Sequence, residues 1–134
     1  MEIPAVLKIL ADENRLRILN IIKEGEACVG EISTILGLAR PNVSKHLEKL
    51  KAAGFITARK HAQWIYYSID ASLVERHPFV KAILFEELKK EEVFTKDMKR
   101  LQTYQTSGFC CQDLRNAGFD FEKIKEAAEG RRKG

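Results

Sequence analysis

The chain has no run of apolar residues near the ~20 that a membrane-spanning helix needs. It has no internal repeats, which excludes a solenoid or propeller. Its opening, Met1-Glu2-Ile3-Pro4, has neither the basic region nor the cleavage site of a secretory leader. A cytoplasmic protein without a membrane partner is expected. Cysteine is scarce: Cys28, Cys110 and Cys111 are an odd set, two of them adjacent, which excludes a disulfide framework. In a reducing compartment such thiols are expected to bind something or to switch. Nor is there a large excess of charge, since the net value is +4.

The 134 residues, 45% of them hydrophobic, allow one compact domain with additional elements. The basic charge is local. Residues 40–60 carry Arg40, Lys45, Lys49, Lys51, Arg59 and Lys60 against the single acid Glu48, with His46 inside the stretch and His61 just after it. Residues 70–134 hold 13 basic and 12 acidic side chains and are nearly balanced. A basic cluster in a balanced chain is the footprint of a polyanion partner or simply a solvated face.

The pattern predicts a short helix over residues 3–11 and a second one capped by Asp12 and running to Lys23. A third spans Val29 to Leu36, with Ile32, Ile35 and Leu36 inward and Gly37 as its stop. A fourth spans Pro41 to Ala53, with Val43, Leu47 and Leu50 as its buried stripe. Two helices joined by a short glycine-containing turn, the second one basic, fit a helix-turn-helix. Residues 55–60 and 64–69 are rich in β-branched and aromatic residues and read as strands. Their link, His61-Ala62-Gln63, is short enough for a hairpin, or wing, although it lacks the usual glycine. Trp64, Tyr66 and Tyr67 are read as strand packing.

From Pro78 to about Thr106 the pattern is helical, as one long helix or as two if Thr95 caps a second. Ser107-Gly108 ends it. Asp120 is expected to cap a last helix over Phe121 to Ala128, with residues 130–134 frayed. The fold class expected is mainly α with a β-hairpin wing, a winged helix-turn-helix dimerising through its N- and C-terminal helices. Residues 1–106 would form the DNA-binding and dimerisation domain, and residues 107–134 an extension carrying the adjacent cysteines.

Three stretches together resemble the ArsR-type (ArsR/SmtB) family of metal- and metalloid-responsive repressors. Leu7-Lys8-Ile9-Leu10-Ala11-Asp12 with Arg15-Leu16-Arg17-Ile18-Leu19 resembles its opening pair of helices. Val43-Ser44-Lys45-His46-Leu47, with Leu50, Ala53-Gly54 and Phe55-Ile56, resembles its recognition helix and the entry to its wing. Glu26-Ala27-Cys28-Val29-Gly30-Glu31 resembles its thiol motif. That motif often reads Cys-Val-Cys, whereas Gly30 stands here at the second cysteine position. The family's zinc-type Asp-x-His pair is also incomplete: Ser72 follows Asp70 where the histidine would fall, and His77 does not restore the spacing.

The resemblance implies double-stranded operator DNA and a second copy of the chain as partners. Arg40, Asn42, Ser44, Lys45, His46, Lys49, Arg59, Lys60 and Gln63 are the candidate DNA contacts. Arginine suits guanine and asparagine suits adenine, while the lysines suit phosphates. Cys28, Cys110 and Cys111 are the candidate ligands of a trivalent arsenic or antimony inducer, since soft ions favour thiolates; no resident cofactor is expected. Cys28 could also be a buried relic, with an external thiol completing a site on the adjacent pair. A redox or persulfide-responsive repressor is the alternative within this fold. A small thiol reductase is the alternative of another class, though the sequence shows neither an anion loop nor a redox fold for it.

Overall fold

The structure is a computed structural model, which describes residues 2–133. It opens with α1 (Ile3–Leu10), where Val6 and Leu10, one turn apart, turn inward and are buried. Ile3 and Leu7 form a second apolar stripe that stays 54% and 47% exposed. Asp12 caps α2 (Glu13–Ile22) by accepting from the Arg15 amide at 3.0 Å, and Ile18, Leu19, Ile21 and Ile22 enter the core. α3 (Val29–Leu36) ends at Gly37, whose φ of +70° closes the helix with a left-handed residue. α4 (Arg40–Ala52) buries Val43, Leu47 and Leu50 completely.

β1 (Ile56–His61) and β2 (Trp64–Ile69) pair antiparallel, from Ile56 opposite Ile69 to His61 opposite Trp64. This register reduces the turn to Ala62-Gln63. Ala62 takes φ +54°, the conformation that a two-residue turn usually assigns to glycine or asparagine. A bridge between Ala27 and Tyr67 ties the wing to the residue before Cys28. These elements form a winged helix-turn-helix, as the sequence pattern predicts.

Beyond the wing the chain departs from expectation in four places. A short α5 (Ala71–Arg76) precedes Pro78. It is capped by Asp70, which accepts from both the amide and the hydroxyl of Ser72. The helical stretch after Pro78 is divided. α6 (Pro78–Ala82) widens into a π-helical turn (Ile83–Glu87), tightens into a 3-10 turn (Leu88–Lys90), and breaks at the extended residue Glu91. α7 (Glu92–Ser107) starts there, so Thr95 lies inside it and donates its hydroxyl to the Glu92 carbonyl. α8 (Cys111–Asn116) makes the cysteine segment a helix rather than an open strand of chain. Finally, α9 (Phe121–Lys133) continues past Ala128 instead of fraying. Ile124 and Ala128 are buried, and Arg131 lies over Gly108, where a β-carbon would come within 2.9 Å of its guanidinium. Gly134 lies outside the described residues.

Arginines lock α3 and α7 together. Arg17 donates to both carboxylate oxygens of the buried Asp97, at 2.7 and 2.9 Å, and to the Leu36 carbonyl at 2.9 Å. Arg100 donates to the carbonyls of Thr34 and Ile35 and stacks on Phe121 at 3.7 Å. The last carbonyls of α3, which a helix leaves without internal partners, are thereby satisfied by guanidinium groups from α2 and α7.

Candidate thiol site and nucleic-acid interface

Cys28 and Cys110 occupy equivalent local positions. Each is the residue before a helix, and a carboxylate three residues on takes its amide. Glu31 accepts from the Cys28 amide at 3.0 Å, and Asp113 accepts from the Cys110 amide at 2.8 Å. This is a capping box with sulfur in place of the usual hydroxyl. The spacing Cys-x-x-Glu and Cys-x-x-Asp was visible in the sequence, although the sequence reading did not use it.

α8 packs against α3, and this brings Cys111 to Cys28. The two thiol sulfurs and a Glu31 carboxylate oxygen all lie within 4.8 Å of one another. Cys28 is 5% exposed and Cys111 3%. Cys111 donates to the Tyr66 hydroxyl on β2 at 3.4 Å, and the Tyr104 hydroxyl on α7 donates to Glu31. Burial pushes both thiols above the usual cysteine range and keeps them protonated. Burial, with the bond to Glu31, also raises Tyr104. Cys110 is exposed and lies outside this cluster. The three cysteines therefore divide into an apposed pair, Cys28 and Cys111, and an accessible neighbour. Glu31, Tyr66 and Tyr104 join the site without having been singled out from the sequence.

The residues expected to meet DNA lie on α4 and the wing. Lys45, Lys49, Lys60, His61 and Gln63 are exposed, while Asn42 and Ser44 are half-buried on α4. His46 lies differently from expectation: it is half-buried, and its Nδ1 is shut off from solvent without a hydrogen-bond partner. Others are engaged by the protein itself. Arg59 forms an ion pair with Glu26 and lies over the Tyr66 ring. Gln63 donates to Gln112 of α8 at 3.4 Å. Arg40 stacks on Phe119, with its guanidinium carbon 4.0 Å from the ring centre. A cavity of about 370 Å³ lies between these parts, lined by Arg40 and Ser44 of α4, Gln63 and Trp64 of the wing, and Leu114 and Phe119 of the C-terminal segment.

The Asp70–Ser72 pair is spent on helix capping, so the zinc-type site that was judged incomplete in the sequence is also occupied structurally. Among the described residues, no helix is long and apolar enough to cross a membrane.

Comparison with known proteins places this arrangement. Residues 12–58 match the model of "Bacterial regulatory protein, arsR family". The chain is 45% identical over 67 residues to the arsenic resistance transcriptional regulator ArsR1 of Pseudomonas putida, covering 49% of this chain and 52% of that protein. It is 33% identical over 70 residues to the transcriptional repressor SdpR of Bacillus subtilis, covering 52% of this chain and 78% of that one. Among solved structures it resembles the homodimeric winged helix-turn-helix DNA-binding domain of Mb0332 from Mycobacterium bovis. That match has TM-score 0.53 and 33% identity, and it covers 65% of this chain and 82% of that one. The chain spans about half the length of the arsenic regulators with which it aligns. With the matched residues spanning its helix-turn-helix, the chain belongs to the ArsR family of bacterial regulatory proteins.

Proposed function

We propose that this protein is a homodimeric transcriptional repressor that binds operator DNA through α4 and the wing. It leaves the operator when trivalent arsenic or antimony is captured by its cysteines. The apposition of Cys28 and Cys111 carries this reading. Two soft donors 83 positions apart in sequence meet in a buried place beside the DNA-reading unit. Cys110 is one residue away and supplies the third thiol by rotating inward from its exposed position. Arsenous acid and three thiols give three arsenic–sulfur bonds and three waters, with no change of oxidation state. Each thiol proton leaves in water, so the reaction suits buried thiols held protonated. A divalent cation would instead require bare thiolates where burial opposes that charge. The likeness to an arsenic resistance regulator supports the same reading.

The test is operator release under reducing conditions. Cys28→Ser and Cys111→Ser are expected to keep operator affinity and lose release by arsenite. A variant lacking both Cys110 and Cys111 that still releases DNA at the wild-type arsenite concentration would overturn the metalloid assignment. One observation favours a second reading: sulfurs this close can close to a disulfide on two-electron oxidation. Release that needs an oxidant or a persulfide donor, and is reversed by dithiol reductant, would identify that switch instead. A thiol reductase has no counterpart among the regulators compared above.

A further inference from the structure

The segment holding Cys110 and Cys111 does more than carry ligands. It also lies beside the recognition helix and the wing. A helix-turn-helix reads base edges with the N-terminal part of its recognition helix. In this chain that part offers Arg40 and Ser44, and the wing offers Gln63. Arg40, itself exposed, stacks on Phe119, Gln63 is bonded to Gln112, and Ser44 lines the open cavity walled by Leu114 and Phe119. Residues 111–119 thus form one wall of the groove between recognition helix and wing and engage side chains from both.

Two further features show that the docking is built in. Phe119 adopts φ +57°, an uncommon conformation for a bulky residue, which must be held by its surroundings. Those surroundings include Arg40 on one side and Gly30 on the other. A β-carbon at Gly30 would lie 2.7 Å from the Phe119 ring, so any side chain there would collide with it. Gly30 is the position at which the family resemblance leads one to expect a second cysteine. Gly30 leaves room for Phe119, and Cys111 comes to Cys28 on the segment that Phe119 anchors.

We propose that residues 110–119 form an autoinhibitory plug that competes with operator DNA for the groove, and that the inducer acts by fastening it there through Cys28 and Cys111. The second half of this statement rests on the metalloid reading above; the first does not. The metal-free molecule exchanges between a docked and an undocked form. DNA selects the undocked form and the inducer the docked one, which gives each ligand the unequal affinity for two states that a switch requires.

Hydrogen exchange on the full chain tests this directly. Amides of residues 111–119 are expected to lose protection in the operator complex and to gain it with arsenite. Unchanged protection of these amides on operator binding would overturn the plug. Two substitutions approach the contact from opposite sides. Phe119→Ala removes the anchor, and Gly30→Ala pushes the ring out while favouring the α3 helix. Each is expected to tighten operator binding by about threefold to tenfold, the factor by which the undocked fraction rises, and to raise the arsenite needed for release by a similar factor. If both variants remain folded by circular dichroism and neither binds operator more tightly, the plug is wrong. If both bind more tightly while arsenite never releases the wild type, the plug stands and the inducer assignment falls.

Discussion

Individual side chains already separate the three thiols by reactivity. The thiolate is the nucleophile, and burial raises Cys28 and Cys111 against forming it, whereas Cys110 is exposed. Iodoacetamide at neutral pH should therefore label Cys110 at least about tenfold faster than the other two, as read by peptide mass spectrometry. Equal labelling of all three would mean that the Cys28–Cys111 pocket is open in solution. His46 gives a pH signature. Its loss of solvent is the main influence lowering its affinity for a proton; Arg15 on α2 and Lys45 and Lys49 on α4 add to this, and Asp12 opposes it. The unfolded chain takes up a proton near pH 6.5 while the folded chain resists, so this contribution to stability is intact above that pH and is lost as pH falls through it. Between pH 7.5 and 5.5 the wild-type Tm should drop further than that of His46→Gln. An equal drop in both would exonerate His46. The sequence placed His46 on a basic helix and so among the DNA contacts. Nothing in that helix alone showed that Asp12, which caps α2, and Arg15 lie close to it.

Among the elements, one nearly buried ion pair helps to hold α7 to the helix-turn-helix, beside the Arg100 bonds to α3. Asp97 is 3% exposed and Arg17 16% at the side chain. Removing one partner strands the other, at a cost of about 3–5 kcal/mol, whereas replacing both with apolar residues of similar size is far milder. Asp97→Ala should lose roughly that amount in urea unfolding, and Arg17→Met with Asp97→Leu should recover most of it. A double variant as unstable as the single one would show that the geometry of the pair, rather than its charge balance, holds α7. The first four helices and the wing were legible in the sequence because each has its own signal: Asp12 and Gly37 at helix ends, a complete apolar stripe on α4, and two stretches of β-branched and aromatic residues at the wing. α5 and α8 were missed because each is only six residues long and shows less than two turns of periodicity. The break before α7 was one of two readings and was put at Thr95, four residues past Glu91, because Glu91 has no proline or glycine beside it and a polar run reads equally well as solvated helix.

For the whole molecule, the large apolar residues left exposed lie on α1, at Ile65 on the wing, and just beyond α6; the first and last of these suit a dimer interface. Ile3 and Leu7 share one stripe of α1, and Phe85 is 41% exposed. A dimer of the proposed kind would bury this surface and set two recognition helices at half-sites about one DNA turn apart. Leu7→Glu should shift the sedimentation coefficient to that of a monomer and weaken operator binding in parallel. A dimer that survives this change with full operator affinity would place the interface elsewhere. The concentration of positive charge in residues 40–60 marked the face proposed for nucleic acid before any geometry was known. The return of the chain's last third to that face could not be foreseen. It depends on Phe119 meeting Gly30, 89 positions earlier in the sequence, and on a left-handed backbone that phenylalanine rarely announces.

Trp64 is the only tryptophan in the chain, and it lines the cavity shared by α4, the wing and the docked segment. The protein therefore carries its own optical reporter, placed at the moving part. Indole emission shifts to longer wavelength as water reaches the ring, so departure of residues 110–119 would redden the signal and their return would reverse it. Stopped-flow traces of this native emission, with operator in one syringe and arsenite in the other, would give opening and closing rates without a dye. The same signal would let the chain serve as a label-free sensor for its inducer.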